Sequence, residues 1–364
     1  MNDTHTSWMR QAIELALCEK GRTHPNPCVG ALLVRNNRCI GRGFHRQAGK
    51  AHAEIEAIAD AKKRGWKNLR GTTLYVTLEP CSSHGRTPPC VEAILREGVR
   101  RIVFGSIDPD PRHAGRGIRL LQSAGVEVIH GVCEEECRLM NLDFEHRCAR
   151  VTPWIILKLA LTLDGFLDQP PERGRWITGV EARRHAHQLR ASCDAILVGA
   201  ETVRRDNPRL TVRGVQGASQ PLRIVLGRKE NLPPNCNLLT DAHAQKTWIV
   251  APDHLSELSS PLMSRGVHRL LVEGGAKVAR SFLKAGLVHE VYLYYAQMST
   301  PRFHYGTLKR MEGLPLDRFC ATRAGKRSGQ IYCFMAIWMI RTCPNAGSSI
   351  HGCRIGFLRA RRPI

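Results

Sequence analysis

The apolar and polar positions of this chain alternate between helical and strand-like spacing from one end to residue 295. Trp8, Ala12, Leu15 and Ala16 share one helical face and predict an amphipathic helix over 8–20. His24-Pro25-Asn26-Pro27 ends it in a rigid loop, either a plain turn or a device that presents the Asn26 amide. Two apolar runs, 29–34 and 39–44, flank Arg35-Asn36-Asn37-Arg38 and predict a hairpin. A helix over 52–63 follows, then a strand over 72–78 that ends at Glu79-Pro80-Cys81. Pro88 and Pro89 start the helix that carries Cys90. A strand over 101–106, a helix over 118–123, a strand over 126–130 and a helix over 133–147 complete the pattern. This order predicts an α/β domain, a mixed sheet with helices on both faces, over residues 1–150.

A second α/β pattern starts at Pro153. Strands are expected over 154–163, 194–198, 222–226, 247–250, 268–272 and 288–295. Helices are expected up to Arg190 and from Gly275 to Ala285, and residues 204–213 read as a polar loop. Glu273-Gly274-Gly275 joins a strand to a helix, a turn that either cradles phosphate or is simply tight. The second domain is expected over 151–296, leaving 297–364 as an atypical tail.

Composition changes this picture little. A chain of 364 residues suits two domains. It holds no apolar run of about 18 residues, so no membrane span is expected. The N-terminus lacks a basic segment followed by an apolar one, which makes the cytoplasm the expected compartment. The 14 Cys are scattered and are read mostly as reduced thiols. Cys133 and Cys137 stand one helical turn apart with no further Cys pair or His to complete a metal site. The net charge of +22 would suit nucleic acid or phosphorylated metabolites, but the tail after residue 300 carries 12 Lys or Arg against 2 Asp or Glu.

The candidate chemistry lies between Ala51 and Cys90. His52 and Cys81 and Cys90 supply three zinc ligands, leaving a fourth position for water. Glu54, two residues past the His, would shuttle protons rather than bind the metal. His-x-Glu with Pro-Cys and a later Cys is the pattern of zinc-dependent deaminases of bases and nucleotides. Such zinc brings the pKa of its water towards about 7. A structural zinc would need a fourth protein ligand, for which His84 is nearest. Eight residues separate the two Cys where many base deaminases have two. The Ser, His, Arg and Thr of that loop suit a ribose and a phosphate.

With these motifs in place, the chain resembles the bifunctional riboflavin biosynthesis family of deaminase–reductases. The likeness is carried by His24-Pro25-Asn26-Pro27-x-Val29-Gly30, His52-Ala53-Glu54 and Glu79 to Cys90. It continues through Asp108-Pro109-x-Pro111, Ala114-Gly115-Arg116-Gly117, Lys158-Leu159-Ala160, Leu163-Asp164-Gly165, Trp176-Ile177-Thr178, Asp206-Asn207-Pro208-x-Leu210-Thr211-Val212-Arg213 and Glu273-Gly274-Gly275. The resemblance implies a three-layer cytidine-deaminase-like domain followed by a dihydrofolate-reductase-like domain. It implies hydrolytic deamination of 2,5-diamino-6-(5-phosphoribosylamino)pyrimidin-4(3H)-one, then NADPH-dependent reduction of the ribosyl to the ribityl chain. Carried over, His52, Cys81 and Cys90 bind zinc, Glu54 is catalytic, and Asn26, His45 and Arg86 contact substrate. In the reductase half Ala160, Trp176, Thr202, Asp206 and Gly275 resemble cofactor contacts, and Gly174, Arg190, Leu210, Arg213 and Glu273 substrate contacts.

Two departures stand out. Gly227-Arg228 replaces the Asp-Ser common in the family, which weakens one cofactor contact. The resemblance also stops after Tyr295-Ala296, as a changed reading frame would produce, so the expectation is an intact deaminase and an impaired reductase. The expected partner is the small phosphoribosyl pyrimidine, with neither nucleic acid nor membrane; a homo-oligomer is left open. Two alternatives are a deaminase of transfer RNA or single-stranded DNA and a zinc-stabilised nucleic-acid-binding module.

Overall fold

The computed structural model describes residues 3–18, 20, 23–84, 88–149, 152–161, 167, 177–295, 320–325 and 334–339, the last two spans by their backbone. The chain divides into two compact units at Val151/Thr152.

The first unit contains α1 (Asp3–Leu17), β1 (Gly30–Arg35), β2 (Arg38–Phe44), α2 (Ala53–Lys63), β3 (Thr73–Leu78) and α3 (Cys90–Arg96). It continues with β4 (Arg101–Ser106), α4 (Arg116–Ser123), β5 (Glu127–Ile129), α5 (Glu134–Leu139) and α6 (Leu142–Ala149). The strands form one sheet in the order β2-β1-β3-β4-β5. The hairpin and β3 are antiparallel, and β3, β4 and β5 run parallel. The mixed sheet expected from the sequence is therefore present. Alternation along the strands feeds two cores. Leu33, Leu74, Val76, Ile102 and Phe104 pack with Ala57, Ile94 and Leu121 on one face. Leu32, Tyr75 and Val103 pack with Met9, Ile13 and Cys137 on the other.

Two expected elements differ. The first helix starts five residues before Trp8 and ends at Leu17. The helix expected over 133–147 is two helices, broken at Met140-Asn141, because Asn141 spends its side chain on the backbone of Cys28.

The second unit contains β6 (Trp154–Leu161), α7 (Val180–Ala191), β7 (Ala195–Gly199), α8 (Ala200–Asp206) and β8 (Leu222–Leu226). Then come α9 (Asn237–Thr240), β9 (Thr247–Val250), α10 (Ser259–Ser264), β10 (Arg269–Val272), α11 (Ala276–Lys284) and β11 (Glu290–Tyr295). The polar stretch expected as a loop from 204 begins instead inside α8, whose exposed Arg204 and Arg205 hide its helical period. Two further strands, β12 (Cys320–Gly325) and β13 (Phe334–Met339), complete a sheet ordered β12-β13-β11-β6-β10-β7-β8-β9. Strands β6 to β11 pair in parallel, and β13 adds antiparallel to β11. The tail expected to be atypical, 297–364, contributes β13 to the sheet, antiparallel to β11. Leu157, Leu159, Leu197, Ile224, Leu270, Val272 and Phe282 form the core of this unit. Among the described residues no helix is long and apolar enough to cross a membrane.

Candidate active sites

Strand β2 sets the height of α2. A Cβ on Gly43 would fall 2.1 Å from the Ala53 carbonyl oxygen, so strand and helix lie in direct backbone contact. His52 occupies the N-cap of α2 without using its side chain as a cap. The imidazole is thereby left for another task. Across from it, β3 delivers Cys81 through Glu79-Pro80, and Cys90 opens α3.

The ligand atoms of His52, Cys81 and Cys90 all lie within 4.8 Å of one another, the one such His/Cys/Asp/Glu group among the described residues. His52 Nδ1 stands 3.2 Å from Cys90 Sγ and 3.4 Å from Cys81 Sγ. Tetrahedral zinc with its usual Zn–N and Zn–S bonds needs an edge of roughly 3.5 Å between such atoms. The backbone N–H of Cys90 donates to Cys81 Sγ at 3.3 Å, which favours the thiolate. Cys81 is drawn towards the thiolate chiefly by its hydrogen bond with the Cys90 thiol, and Cys90 is pushed up by the same bond and by burial. One imidazole and two thiols at these separations, one thiol drawn towards its anion, fit zinc.

Glu54 sits in the first turn of α2, 3% exposed. Burial first, and then the Cys81 charge, push its carboxyl up to about 7. A carboxyl poised near neutrality can both take and give a proton. Asn26 and His45 meet beside this group, with Asn26 Nδ2 3.0 Å from His45 Nε2. His45 Nδ1 faces the Ala51 carbonyl at 3.0 Å, so it carries the proton and Nε2 accepts from Asn26. Burial lowers the His45 pKa and keeps that ring neutral. Its ring meets the His52 ring edge-on, centroids 5.3 Å apart. Ser83 Oγ lies 3.4 Å from His113 Nδ1, bringing the loop after β4 to the loop after Cys81. Arg86 lies outside the described residues.

In the second unit the structure brings Arg190 to Glu273 and Gly275 to Thr202. Glu273 follows β10 and receives both Nε and Nη2 of Arg190 from α7, at 2.7 and 2.9 Å. Arg190 also donates to the Thr211 carbonyl at 3.1 Å. Lys158, an inward charge on the otherwise apolar β6, places Nζ 3.9 Å from Glu273. Burial works against the Glu273 carboxylate, yet the Arg190 and Lys158 charges hold its pKa down to about 2. Lys158 was not singled out as a site residue from the sequence; a charge interrupting Trp-Ile-Ile-Leu-x-Leu-Ala-Leu was the available signal.

A Cβ on Gly274 would fall 2.5 Å from Val278 Cβ, so the Gly-Gly turn packs its backbone directly on α11. Gly275 is the extended N-cap of that helix, and a Cβ there would meet only Thr202 Oγ1, at 3.7 Å. Gly275 and Thr202 are thus neighbours, at an open helix N-terminus that fits a dinucleotide pyrophosphate. Ala160 lies on β6 in register with Tyr294. Asp206 ends α8, one turn beyond Thr202. Leu210 is buried with a left-handed φ of 51°. The backbone N–H of Arg213 donates to His187 Nδ1 at 3.2 Å, and its side chain is exposed. Gly174 and Trp176 lie outside the described residues.

Residues 2–106 match the cytidine and deoxycytidylate deaminase zinc-binding region, and residues 153–299 match the RibD C-terminal domain. The riboflavin biosynthesis protein RibD of Aquifex aeolicus is 40% identical over 312 residues, covering 80% of this chain and 86% of that protein. The chain belongs to the RibD family. The Escherichia coli RibD protein is 36% identical over 321 residues, covering 79% of this chain and 86% of its own length. Among solved structures, Acinetobacter baumannii RibD superposes with a TM-score of 0.76 at 32% identity, covering 92% of this chain and 99% of that one. A diaminohydroxyphosphoribosylaminopyrimidine deaminase/5-amino-6-(5-phosphoribosylamino)uracil reductase from Thermotoga maritima gives a TM-score of 0.76 at 33% identity, with the same coverage. RibD proteins join a zinc deaminase unit to a reductase unit, the two units found here. Zinc and NADPH are their cofactors.

Proposed function

We propose that the chain performs both steps named for its Thermotoga maritima relative, deamination of the diaminopyrimidine and reduction of its phosphoribosyl group. The observation that carries this reading is the closure of His52, Cys81 and Cys90 within 4.8 Å beside a buried Glu54. When bound by those three side chains, zinc supplies Lewis-acid activation of water at neutral pH. Glu54 accepts a proton from the attacking water and passes it to the ring nitrogen. It then carries the second proton to the departing amine, so the water oxygen stays on the ring carbon as the oxo group and the C–N bond breaks to release ammonia. Asn26, oriented by neutral His45, is left with its amide oxygen to accept from the pyrimidine.

In the reductase unit, NADPH when bound supplies the hydride. The Gly275 turn and Thr202 hold its phosphates at the start of α11. Arg190 acts through Glu273 and the Thr211 carbonyl, setting the edge of the substrate cleft. Arg213, exposed on that edge, is the cation for the sugar phosphate. The substrate is a small phosphorylated metabolite rather than nucleic acid, and the compartment is the cytoplasm.

The test is to supply 2,5-diamino-6-(5-phosphoribosylamino)pyrimidin-4(3H)-one with and without NADPH and weigh the products. Ammonia release without NADPH, and a deaminated and reduced product only with it, support both roles. Deamination of transfer RNA or single-stranded DNA in place of the free pyrimidine would overturn the reading.

A further inference from the structure

Glu79 is the last residue before Pro80-Cys81, and it is 3% exposed. No cation pairs with it among the described residues. It accepts four backbone N–H groups instead. Oε2 takes those of Asp108 at 3.3 Å and Gly115 at 2.9 Å; Oε1 takes those of Gly117 at 2.9 Å and Ile118 at 3.3 Å. Burying a carboxylate is costly unless its lone pairs are met, and four N–H donors meet them. All four donors lie between β4 and the first turn of α4, beyond the 2–106 region that matches the deaminase family.

The same backbone presses on the residue before Cys81. A Cβ on Gly117 would fall 2.4 Å from the Pro80 carbonyl oxygen and 3.1 Å from Glu79 Oε1. The Glu79 backbone is tied on its other side, donating its N–H to the Ser106 carbonyl at 2.9 Å. Pro80 then fixes φ by its ring. Two residues before the ligand, the chain is held by its side chain, its backbone and its ring closure together.

We propose that Glu79 is a positioning residue for Cys81: it clamps Glu79-Pro80 to the start of α4 and so fixes where the Cys81 sulfur stands relative to His52 and Cys90. This deepens the reading of Cys81 as a zinc ligand and rests on it. Partners that orient a ligand typically change metal affinity by about 10- to 100-fold when lost. A carboxylate that merely held the loop would alter the melting temperature and leave the metal site as it was.

The experiment uses the full-length zinc-loaded protein and reads zinc affinity by competition with a coloured chelator, alongside the visible spectrum of the cobalt-substituted protein. Glu79→Gln keeps the shape but turns an acceptor into a donor facing N–H groups. Gly117→Ala pushes hardest on the Pro80 carbonyl and crowds Glu79 Oε1 while keeping the carboxylate itself, and serves if Glu79→Gln does not fold. Zinc affinity lower by about 10- to 100-fold, with a shifted cobalt spectrum, supports the proposal. Unchanged affinity and spectrum in the folded variants overturn it. Cys81→Ser separates the two readings. If Cys81→Ser retains zinc at full affinity, the ligand assignment itself fails. If it loses zinc while the Glu79 and Gly117 variants keep it, only the positioning role fails.

Discussion

The side-chain amide of Asn141 brackets both backbone polar groups of Cys28. Its Oδ1 accepts the Cys28 N–H at 2.7 Å, and its Nδ2 donates to the Cys28 carbonyl at 2.9 Å. Two residues upstream stands Asn26, and Arg147 Nη2 donates to the Pro25 carbonyl of the same loop at 2.7 Å. The loop that presents Asn26 is therefore held from the far end of the first unit. Asn141→Ala removes both of these buried hydrogen bonds, at about 0.5–1.5 kcal/mol each. Steady-state kinetics should show KM for deamination raised about tenfold or more, with zinc content unchanged. An unchanged KM would remove the link from Asn141 to the substrate.

Glu54→Gln should lower ammonia release by about 10²–10⁴-fold. The amide that replaces the carboxyl cannot exchange protons, while the three metal-binding side chains are untouched. Zinc per chain, measured by atomic emission, should stay at the wild-type level. Full activity in this variant would favour the zinc-stabilised binding module over an enzyme.

Stripping zinc with a chelator should abolish ammonia release and lower the melting temperature of the first unit, and added zinc should restore both. A metal held at 100 times its Kd contributes about 2.7 kcal/mol to the folded state. Differential scanning calorimetry with and without chelator measures the shift. Cys90→Ser should reproduce the stripped state and gain nothing from added zinc.

Glu273→Gln should destabilise the second unit by about 3–5 kcal/mol at neutral pH, because Arg190 and Lys158 remain buried without their partner. The pH dependence has a defined sign. The folded pKa of Glu273, about 2, lies below the value of about 4.3 for an unfolded Glu. Its contribution is complete above the unfolded value and is lost as pH falls towards the folded one. Urea midpoints of wild type and variant should therefore differ at pH 7 and converge as pH falls towards 2. A constant difference across that range would contradict the assignment.

The reductase should bind NADPH yet reduce the phosphoribosyl group more slowly than the deaminase releases ammonia. The Gly275 turn and the Arg190–Glu273 pair are formed, but the strands beyond β11 come from the stretch after Ala296 that is expected to be an atypical tail. Fluorescence titration with NADPH, set beside turnover of the deaminated product, separates binding from chemistry. Equal rates for the two reactions would refute an impaired reductase.

The zinc centre was legible because each ligand belongs to a short motif whose own residues fix its place: an N-cap, a strand end and a helix start. Pairings across long separations were not. Arg190 and Glu273 are 83 residues apart, and nothing in the spacing of either marks the other. Asn141 escaped because hydrophobic periodicity runs on through 133–147; only the use of its amide by Cys28 shows why the helix breaks there. Glu79 was visible as part of a motif, but its four partners are backbone groups, which carry no signature in side-chain sequence. The α8 helix was missed for the opposite reason: one buried residue, Val203, among exposed charges gives no period to read.

Strand β6 is the first strand of its unit to be made and lies inside the finished sheet, between β10 and β11. Its register partners begin at Arg269 and Glu290, more than a hundred residues downstream. During synthesis Trp154–Leu161 therefore emerges with neither edge paired and with an apolar face uncovered, until most of the unit has left the ribosome. The first unit pairs β1 with β2 and β3 within a few tens of residues and can close long before. Chaperone demand should concentrate in the second unit, and a truncation before Arg269 would strand β6 in its most aggregation-prone form.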